Sequence, residues 1–178
     1  MHTGTDLHTR PVEPGALTSL VPALAALLSD TVNAGASLGF VPPLSADDAR
    51  DYWRSLRTEL QTGARLLLGA FRADRIVGTG QLLLPPLPTA RHRAEIQKLF
   101  VDGALRGQGV GRSLIAALHA AALERGRSLV LLNARHGSPA QRFYTGLGYR
   151  VAGVIPGYTL GPGRQRIDSV AMYQELRG

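Results

Sequence analysis

The glycine-rich hexapeptide Arg106–Gly111 constrains the fold more than any other feature of this 178-residue chain. It reads RGQGVG and lies between a strand-like run, Ala94–Val101, and an apolar helical run, Ser113–Arg125. Amides in the first turn of a helix lack partners inside that helix, and the helix dipole adds partial positive charge there. Glycines also let an anion approach the main chain closely, so the hexapeptide is expected to bind a nucleotide-like pyrophosphate.

The neighbouring residues exclude two common phosphate-binding loops. The loop of P-loop NTPases continues from its last glycine into Lys and then Ser or Thr, whereas Gly111 is followed by Arg112. A dinucleotide-binding fingerprint that began at Gly107 would require glycine at position 112. Neither an NTPase nor a dinucleotide dehydrogenase fits the chain.

Length and composition predict one domain over residues 1–178, with residues 1–6 expected to be disordered. The hydrophobic content of 44% is enough for a sizeable core. The absence of cysteine excludes disulfides, thiolate metal sites and a cysteine acyl-enzyme. The five histidines show no metal-ligand spacing such as H-x-x-x-H, so no metal is predicted.

The net charge of +7 comes almost entirely from arginine, and Lys98 is the only lysine. The arginines are scattered and form no basic run, so nucleic-acid binding is not expected. No apolar stretch approaches the roughly 20 residues of a membrane span, and Met1–Arg10 does not resemble a signal peptide. We therefore expect a soluble, cytoplasmic protein without a membrane partner.

Hydrophobic periodicity predicts two helices before the first strand. The run Leu17–Leu28 has helical spacing, with Pro22 expected in a first turn or at a kink. A second helix begins after the capping residue Ser45 and ends before Gly63. The segment Gly35–Leu44 between them is predicted to be a loop on the substrate side.

The remaining pattern predicts an α/β fold, with a mixed sheet of about six to seven strands flanked by about four helices. A hairpin is expected from two strands joined by a short turn, and a strand–helix–strand crossover favours a parallel pair. The predicted strands are 65–71, 75–84, 94–101, 128–133, 149–155 and 167–175, and the later helices are 109–125 and 139–147.

Three segments in order make the chain resemble the GCN5-related N-acetyltransferases (GNAT family). They are the strand Ala94–Val101, the R-x-x-G-x-G loop, and Phe143–Tyr149. The resemblance implies the GNAT fold and transfer of acetyl from acetyl-CoA to a primary amine, directly within a ternary complex. The segments Gly39–Leu44, Arg93–Val101 and Pro156–Tyr158, followed by Met172 and Tyr173, are most similar to the tabtoxin-resistance branch. That likeness implies a small acceptor, such as an amino-acid-like metabolite, toxin or antibiotic.

The resemblance also implies which residues hold the cofactor. Loop amides would bind the pyrophosphate, the β-strand main chain would pair with the pantetheine amides, and Ser113 could add a hydroxyl donor. Phe143 has a second interpretation as a core aromatic. The expected cofactor contacts are Leu99, Phe100, Val101, Arg106, Gly107, Gln108, Gly109, Val110, Gly111, Arg112, Ser113, Asn133 and Phe143.

Tyr144 and Glu95 are the catalytic residues that the resemblance implies. Tyr144 would protonate the departing thiolate, and Glu95 would accept a proton from the amine. A structural alternative for Glu95 is an ion pair with Arg93. Asn133 stands where tabtoxin-resistance relatives carry aspartate, and an amide cannot act as a base.

The sequence leaves two alternative functions and a possible homodimer undecided. The loss of the branch aspartate fits a catalytically weak acetyl-CoA-binding regulatory module, and the acceptor could also be a protein or peptide amine. A homodimer is possible because this fold often pairs, although no sequence feature marks an interface.

Overall fold

A seven-stranded mixed sheet organises the chain, with strand order β1-β2-β3-β4-β5-β7-β6. The computed structural model describes residues 7–177, so the expected disorder in residues 1–6 lies outside the described residues. The strands are β1 (Leu7–Pro11), β2 (Arg65–Arg72), β3 (Arg75–Leu83), β4 (Arg93–Val101), β5 (Leu129–Arg135), β6 (Arg150–Leu160) and β7 (Arg166–Glu175). The helices are α1 (Leu17–Asn33), α2 (Ala46–Ser55), α3 (Arg57–Gln61), α4 (Val110–Leu123) and α5 (Pro139–Thr145).

The predicted mixed α/β fold is confirmed, and the main difference in the helices lies at Leu56. This residue ends α2 and begins α3, so the single predicted second helix is interrupted there. Counted as one interrupted segment, α2 and α3 bring the helices in the described chain to the expected four. The Ser45 cap is confirmed, because its hydroxyl accepts the Asp48 amide at 3.0 Å. Pro22 lies inside α1 beyond its first turn, which excludes the first turn and leaves the other expected placement, at a kink.

The strand β1 was not predicted from the sequence. Its residues LHTRP show no clear alternation of apolar and polar side chains, and the strand is mostly exposed. It lies at one edge of the sheet and pairs antiparallel with β2. Pro11 is its last residue, a position where a missing amide is tolerated at a sheet edge.

Two hydrophobic clusters cover opposite faces of the sheet. Successive strand residues point to opposite faces, and Leu67 packs with α1–α3 whereas Leu68 packs with α4. The glycine-loop helix α4 therefore lies on one face, and the α1–α3 layer lies on the other. The segment predicted as a loop before α2 contains no helix or strand between residues 34 and 45.

The sheet opens between its two central strands. The predicted parallel pair is confirmed, but β4 and β5 pair only over Arg93–Glu95 and Leu129–Leu131. Beyond Glu95, β4 continues to Val101 with β3 as its only strand partner in the described chain. A bulge with Lys98 at φ 48° lies opposite the register shift in β3. One edge of β4 is thus left without a strand neighbour near the middle of the sheet.

Candidate active site

The glycine loop forms an anion-binding concavity at the start of α4. Gly107 and Gly109 have φ values of 77° and 84°, in the left-handed region that favours glycine. Gly109 caps the helix without a side-chain hydrogen bond. Within the described residues, no hydrogen-bond partner satisfies the amides of residues 109–112. These amides, together with the helix dipole, make the loop suitable for a pyrophosphate.

Arginines from the β2–β3 hairpin brace this loop. Arg72 Nη2 donates to Gln108 Oε1 at 2.7 Å, and Arg75 forms a salt bridge with Asp102. Asp102 also accepts the Ala104 amide at 3.0 Å through its side chain. The hairpin thus contacts the loop and the residues just before it.

Four other expected loop contacts differ in their availability to a ligand. The Gln108 amide donates to the Leu105 carbonyl at 3.3 Å, so it is already satisfied. The Ser113 hydroxyl bonds the Thr9 hydroxyl of β1 at 2.8 Å, and its amide donates to Gly109. The Arg106 and Arg112 side chains are exposed on the loop and add positive charge around it.

The expected β4 contacts lie along the open edge of that strand. Leu99 and Val101 pack toward the α4 face, whereas Phe100 is buried against the α1–α3 layer. Phe100 and Val101 pair with β3 on one side and have no β5 partner in the described chain. Their main chain is therefore positioned to pair with an extended amide-bearing ligand.

Helix α5 brings Phe143 and Tyr144 to the start of α4. A Cβ added at Gly111 would lie 3.3 Å from Phe143 Cζ, so the Phe143 ring rests against the first turn of α4. Phe143 contacts Tyr144 in an edge arrangement, with 5.3 Å between the ring centroids. Both interpretations of Phe143 fit this position, because it packs on the core and also borders the glycine loop.

Tyr144 is a buried phenol whose side chain is 7% exposed. Burial raises the pKa of Tyr144 to about 12, which keeps the hydroxyl protonated at neutral pH. Its hydroxyl has no hydrogen-bond partner among residues 7–177. The neighbouring Tyr149 hydroxyl is instead bonded to His119 Nε2 at 2.8 Å. Of these two buried tyrosines, Tyr144 is the one with a donor available for a ligand.

Glu95 lies where β4 and β5 begin to separate, and a polar chain orients it. Arg65 Nη1 donates to Gln97 Oε1 at 3.0 Å, and Gln97 Nε2 donates to Glu95 Oε1 at 3.0 Å. Because the guanidinium can only donate, it fixes the amide of Gln97 so that its nitrogen faces Glu95. Glu95 is therefore held as an acceptor. No salt bridge joins it to Arg93 in the described part of the chain.

An open cleft of about 310 Å³ joins Glu95 to Asn133. Leu131 of β5 and Tyr173 of β7 also line this cleft. Glu95 thus borders a space large enough for a small acceptor. Asn133 is exposed on this cleft, which places it with the proposed base.

A polar cluster that contacts Phe40 of the Gly35–Leu44 segment through Tyr52 was not predicted from the sequence. Tyr52 of α2 is bonded to buried Gln81, and Arg65 Nη1 donates to Gln81 Oε1 at 2.7 Å. Polar residues inside otherwise apolar strands were the available signal. Their partners could not be inferred, because they come from elements distant in sequence.

Between residues 7 and 177, no group of three or more histidine or acidic side chains could hold a metal ion. Within that range, no helix combines the length and apolar character needed to cross a bilayer.

The fold and the glycine loop are those of an acetyltransferase. The model of the acetyltransferase (GNAT) family matches residues 36–149, so the chain belongs to this family. The matched region runs from the loop before α2 to the end of the segment that carries Tyr144.

Solved structures share this fold at low sequence identity. A ribosomal-protein-alanine N-acetyltransferase from Brucella melitensis is 22% identical with a TM-score of 0.76, over 95% of this chain and 99% of that one. An N-acetyltransferase from Staphylococcus aureus Mu50 is 16% identical with a TM-score of 0.75, over 97% and 99%. The yncA protein of Salmonella typhimurium, solved with its cofactor acetyl-CoA, is 16% identical with a TM-score of 0.74, over 97% and 95%.

Proposed function

We propose that this protein is an acetyl-CoA-dependent N-acetyltransferase that acetylates a primary amine of a small molecule. The observation that carries the proposal is the opening between β4 and β5, with unpaired helix amides at one end and Glu95 at the other. A glycine-loop turn without a ligand would not require a gap in the sheet beside it.

The residues present fit acetyl-CoA as the acyl donor. Amides of Gly109, Val110, Gly111 and Arg112 hold the pyrophosphate, and the exposed Arg106 and Arg112 side chains add charge. The β4 main chain over residues 99–101 pairs with the pantetheine amides. Acetyl-CoA supplies an activated thioester when bound.

Two side chains move the protons of a direct transfer. Glu95 accepts a proton from the substrate ammonium to give the neutral amine that attacks, and Tyr144 donates its hydroxyl proton to the departing sulfur. The amine nitrogen would bond to the acetyl carbon as the carbon–sulfur bond breaks, and the second proton that the nitrogen then loses would restore the Tyr144 hydroxyl. A main-chain amide of the open β4 edge stabilises the charge that develops on the carbonyl oxygen.

We infer that the acceptor resembles those of the tabtoxin-resistance branch. The support is the Gly39–Leu44 segment above the polar cluster and a cleft of about 310 Å³ beside Glu95. These features suit a compact amine such as an amino-acid-like metabolite, toxin or antibiotic. We further propose that the enzyme acts in the cytoplasm.

Calorimetric titration with acetyl-CoA tests the cofactor site, using wild type and Gly109→Asp. Aspartate places a carboxylate in the anion site and tolerates positive φ better than most residues. The matched control is Gly126→Asp, just beyond the other end of α4, where φ is 69° and an added Cβ contacts no neighbour. We expect binding by wild type and Gly126→Asp and loss of binding by Gly109→Asp.

Turnover is then followed as thiol release with a panel of primary amines. Binding together with acetylation supports the proposed enzyme. Binding without acetylation of any amine favours the alternative, a coenzyme-binding regulatory module. Absence of wild-type binding would contradict both, because each requires the glycine loop to hold the coenzyme.

A further inference from the structure

Lys98 is a half-buried ammonium beside the proposed base. It is the only lysine of the chain, and it lies in the β4 bulge with a left-handed φ of 48°. A non-glycine residue in that conformation is uncommon and costs free energy. The bulge turns its side chain toward the α1–α3 layer, where Nζ lies 5.4 Å from the Phe40 ring centroid and 5.6 Å from that of Tyr52.

The ammonium has aromatic neighbours but no anionic partner. Within residues 7–177, Lys98 Nζ forms neither a salt bridge nor a hydrogen bond. Its neighbour Arg65, in contrast, is paired through Nε with Glu59 at 2.7 Å and donates to two glutamines. Burial and, secondarily, the Arg65 charge lower the pKa of Lys98, whereas Glu95 raises it.

Glu95 and Lys98 present opposite charges on one face without pairing to each other. Gln97 holds the Glu95 carboxylate at 3.0 Å, and the rings of Phe40 and Tyr52 flank the Lys98 ammonium. The loop above leaves room for Nζ, because a Cβ at Gly39 would lie 3.0 Å from it. A ligand that carries its own opposite charges a short distance apart would complement both groups.

We propose that Lys98 binds a carboxylate of the acceptor, so that the preferred substrates are amino acids whose free amine and carboxylate are close together. The ammonium of such a zwitterion faces Glu95, and its carboxylate faces Lys98. A carboxylate on Lys98 supplies the missing counter-ion and makes a charge-assisted hydrogen bond. The aromatic rings exclude water from this pair and strengthen it. This assignment rests on the proposed N-acetyltransferase function.

Because the chain has one lysine, the site can be observed directly and without turnover. Lysine labelled with ¹³C at the ε-carbon gives a single side-chain resonance in a protein freed of any lysine-containing tag. With coenzyme A present, the common L-amino acids other than lysine are added in pools, followed by the matching pools of amino-acid amides. We expect the Lys98 resonance to move with the amino acids and to stay in place with the amides.

Kinetics of variants provide the second test. Lys98→Met keeps an unbranched side chain at the strained position but removes the charge. It should raise KM for amino acids about 10- to 100-fold, the range that a hydrogen bond to a charged group supplies, and leave kcat and the KM for amides nearly unchanged. Lys98→Arg should keep the preference for carboxylates. The matched control is Arg93→Met, which removes a different positive charge from β4. This variant should keep wild-type kinetics.

The possible outcomes separate this inference from the function on which it rests. The role of Lys98 is overturned if its resonance does not shift with amino acids, or if it shifts equally with the amides. Equal acetylation of amides and amino acids by wild type does the same and leaves the acetyltransferase intact. Loss of acetyl-CoA binding, measured separately by calorimetry, contradicts the proposed function instead.

Discussion

At the scale of single residues, Tyr144 carries the sharpest prediction about chemistry. Tyr144→Phe removes only the hydroxyl, so the ring packing against Phe143 and Tyr149 is retained. We expect kcat to fall about 100-fold or more, the usual range for loss of a general acid, with the Kd for acetyl-CoA unchanged. Steady-state kinetics and calorimetry measure the two effects. Tyr149→Phe is the control, because its hydroxyl is engaged by His119 and should not affect kcat.

The pKa of Tyr144 also predicts how stability changes at alkaline pH. Tyrosine in the unfolded chain ionises near pH 10, whereas burial raises the pKa of Tyr144 to about 12 in the folded protein. The unfolded state therefore loses its proton first, and the stability contribution present below pH 10 is lost between pH 10 and 12. Relative to wild type, Tyr144→Phe should gain about 1 kcal/mol in free energy of unfolding from pH 10 to 11. Urea unfolding at both values measures this, and parallel losses would contradict it.

The role of Glu95 can be tested by pH dependence, because a base is needed only while the acceptor amine is protonated. Glu95→Gln should lower kcat/KM about 100-fold at neutral pH. The deficit should shrink as the pH approaches the pKa of the acceptor, since a neutral amine needs no base. Glu175→Gln removes another carboxylate that lines the same cleft. As the control, it should keep the wild-type kcat/KM at every pH. A deficit of constant size at all pH values would assign Glu95 a structural role.

At the scale of elements, the Ser45 cap offers a test that separates stability from cofactor binding. Ser45→Ala leaves the Asp48 amide without its side-chain acceptor and should lower the free energy of unfolding by about 1 kcal/mol. Acetyl-CoA affinity should not change, because the proposed pyrophosphate site belongs to α4. Ser55→Ala, at the exposed end of α2, should cost less than about 0.5 kcal/mol. Urea unfolding curves of both variants provide the comparison.

Elements with a local signal could be predicted, and elements set by tertiary contacts could not. The α4 helix follows a glycine loop, and the β2–β3 hairpin joins two apolar runs, so both could be predicted from the sequence. The strand β1 has no alternation of its own and depends on pairing with β2. The β4 bulge at Lys98 likewise depends on the β3 register, so the left-handed lysine had no sequence signature.

At the scale of the whole molecule, the same distinction applies to the site. Short-range motifs indicated Gly109 and Tyr144, because family resemblance is concentrated in contiguous segments. The chain that orients Glu95 runs from Glu59 through Arg65 and Gln97, and it joins α3, β2 and β4. Only the assembled sheet brings these residues together, which is why polar residues within apolar strands could not be assigned partners.

The outer strand β6 leads to a proposal about assembly. Five of the seven exposed large hydrophobic side chains of the described chain lie on this strand: Val151, Val154, Ile155, Tyr158 and Leu160. Residues 150–156 are all exposed, and β6 is an edge strand. An apolar edge of this length promotes pairing with another strand. About a two-fold axis, β6 of one protomer would pair antiparallel with β6 of its partner. We therefore propose a homodimer through β6.

Light scattering after size exclusion, over a range of protein concentrations, tests the dimer. Wild type should have twice the mass of the 19.0 kDa chain, and Val154→Arg should be a monomer because it places a charge in the apolar strand. The matched control is Val41→Arg, since Val41 is 45% exposed and Val154 is 42% exposed. A monomeric wild type, or dissociation by both variants, would refute pairing through β6. Because Ala152 of β6 lines the cleft beside Glu95, loss of the dimer should also raise the acceptor KM while acetyl-CoA affinity is kept.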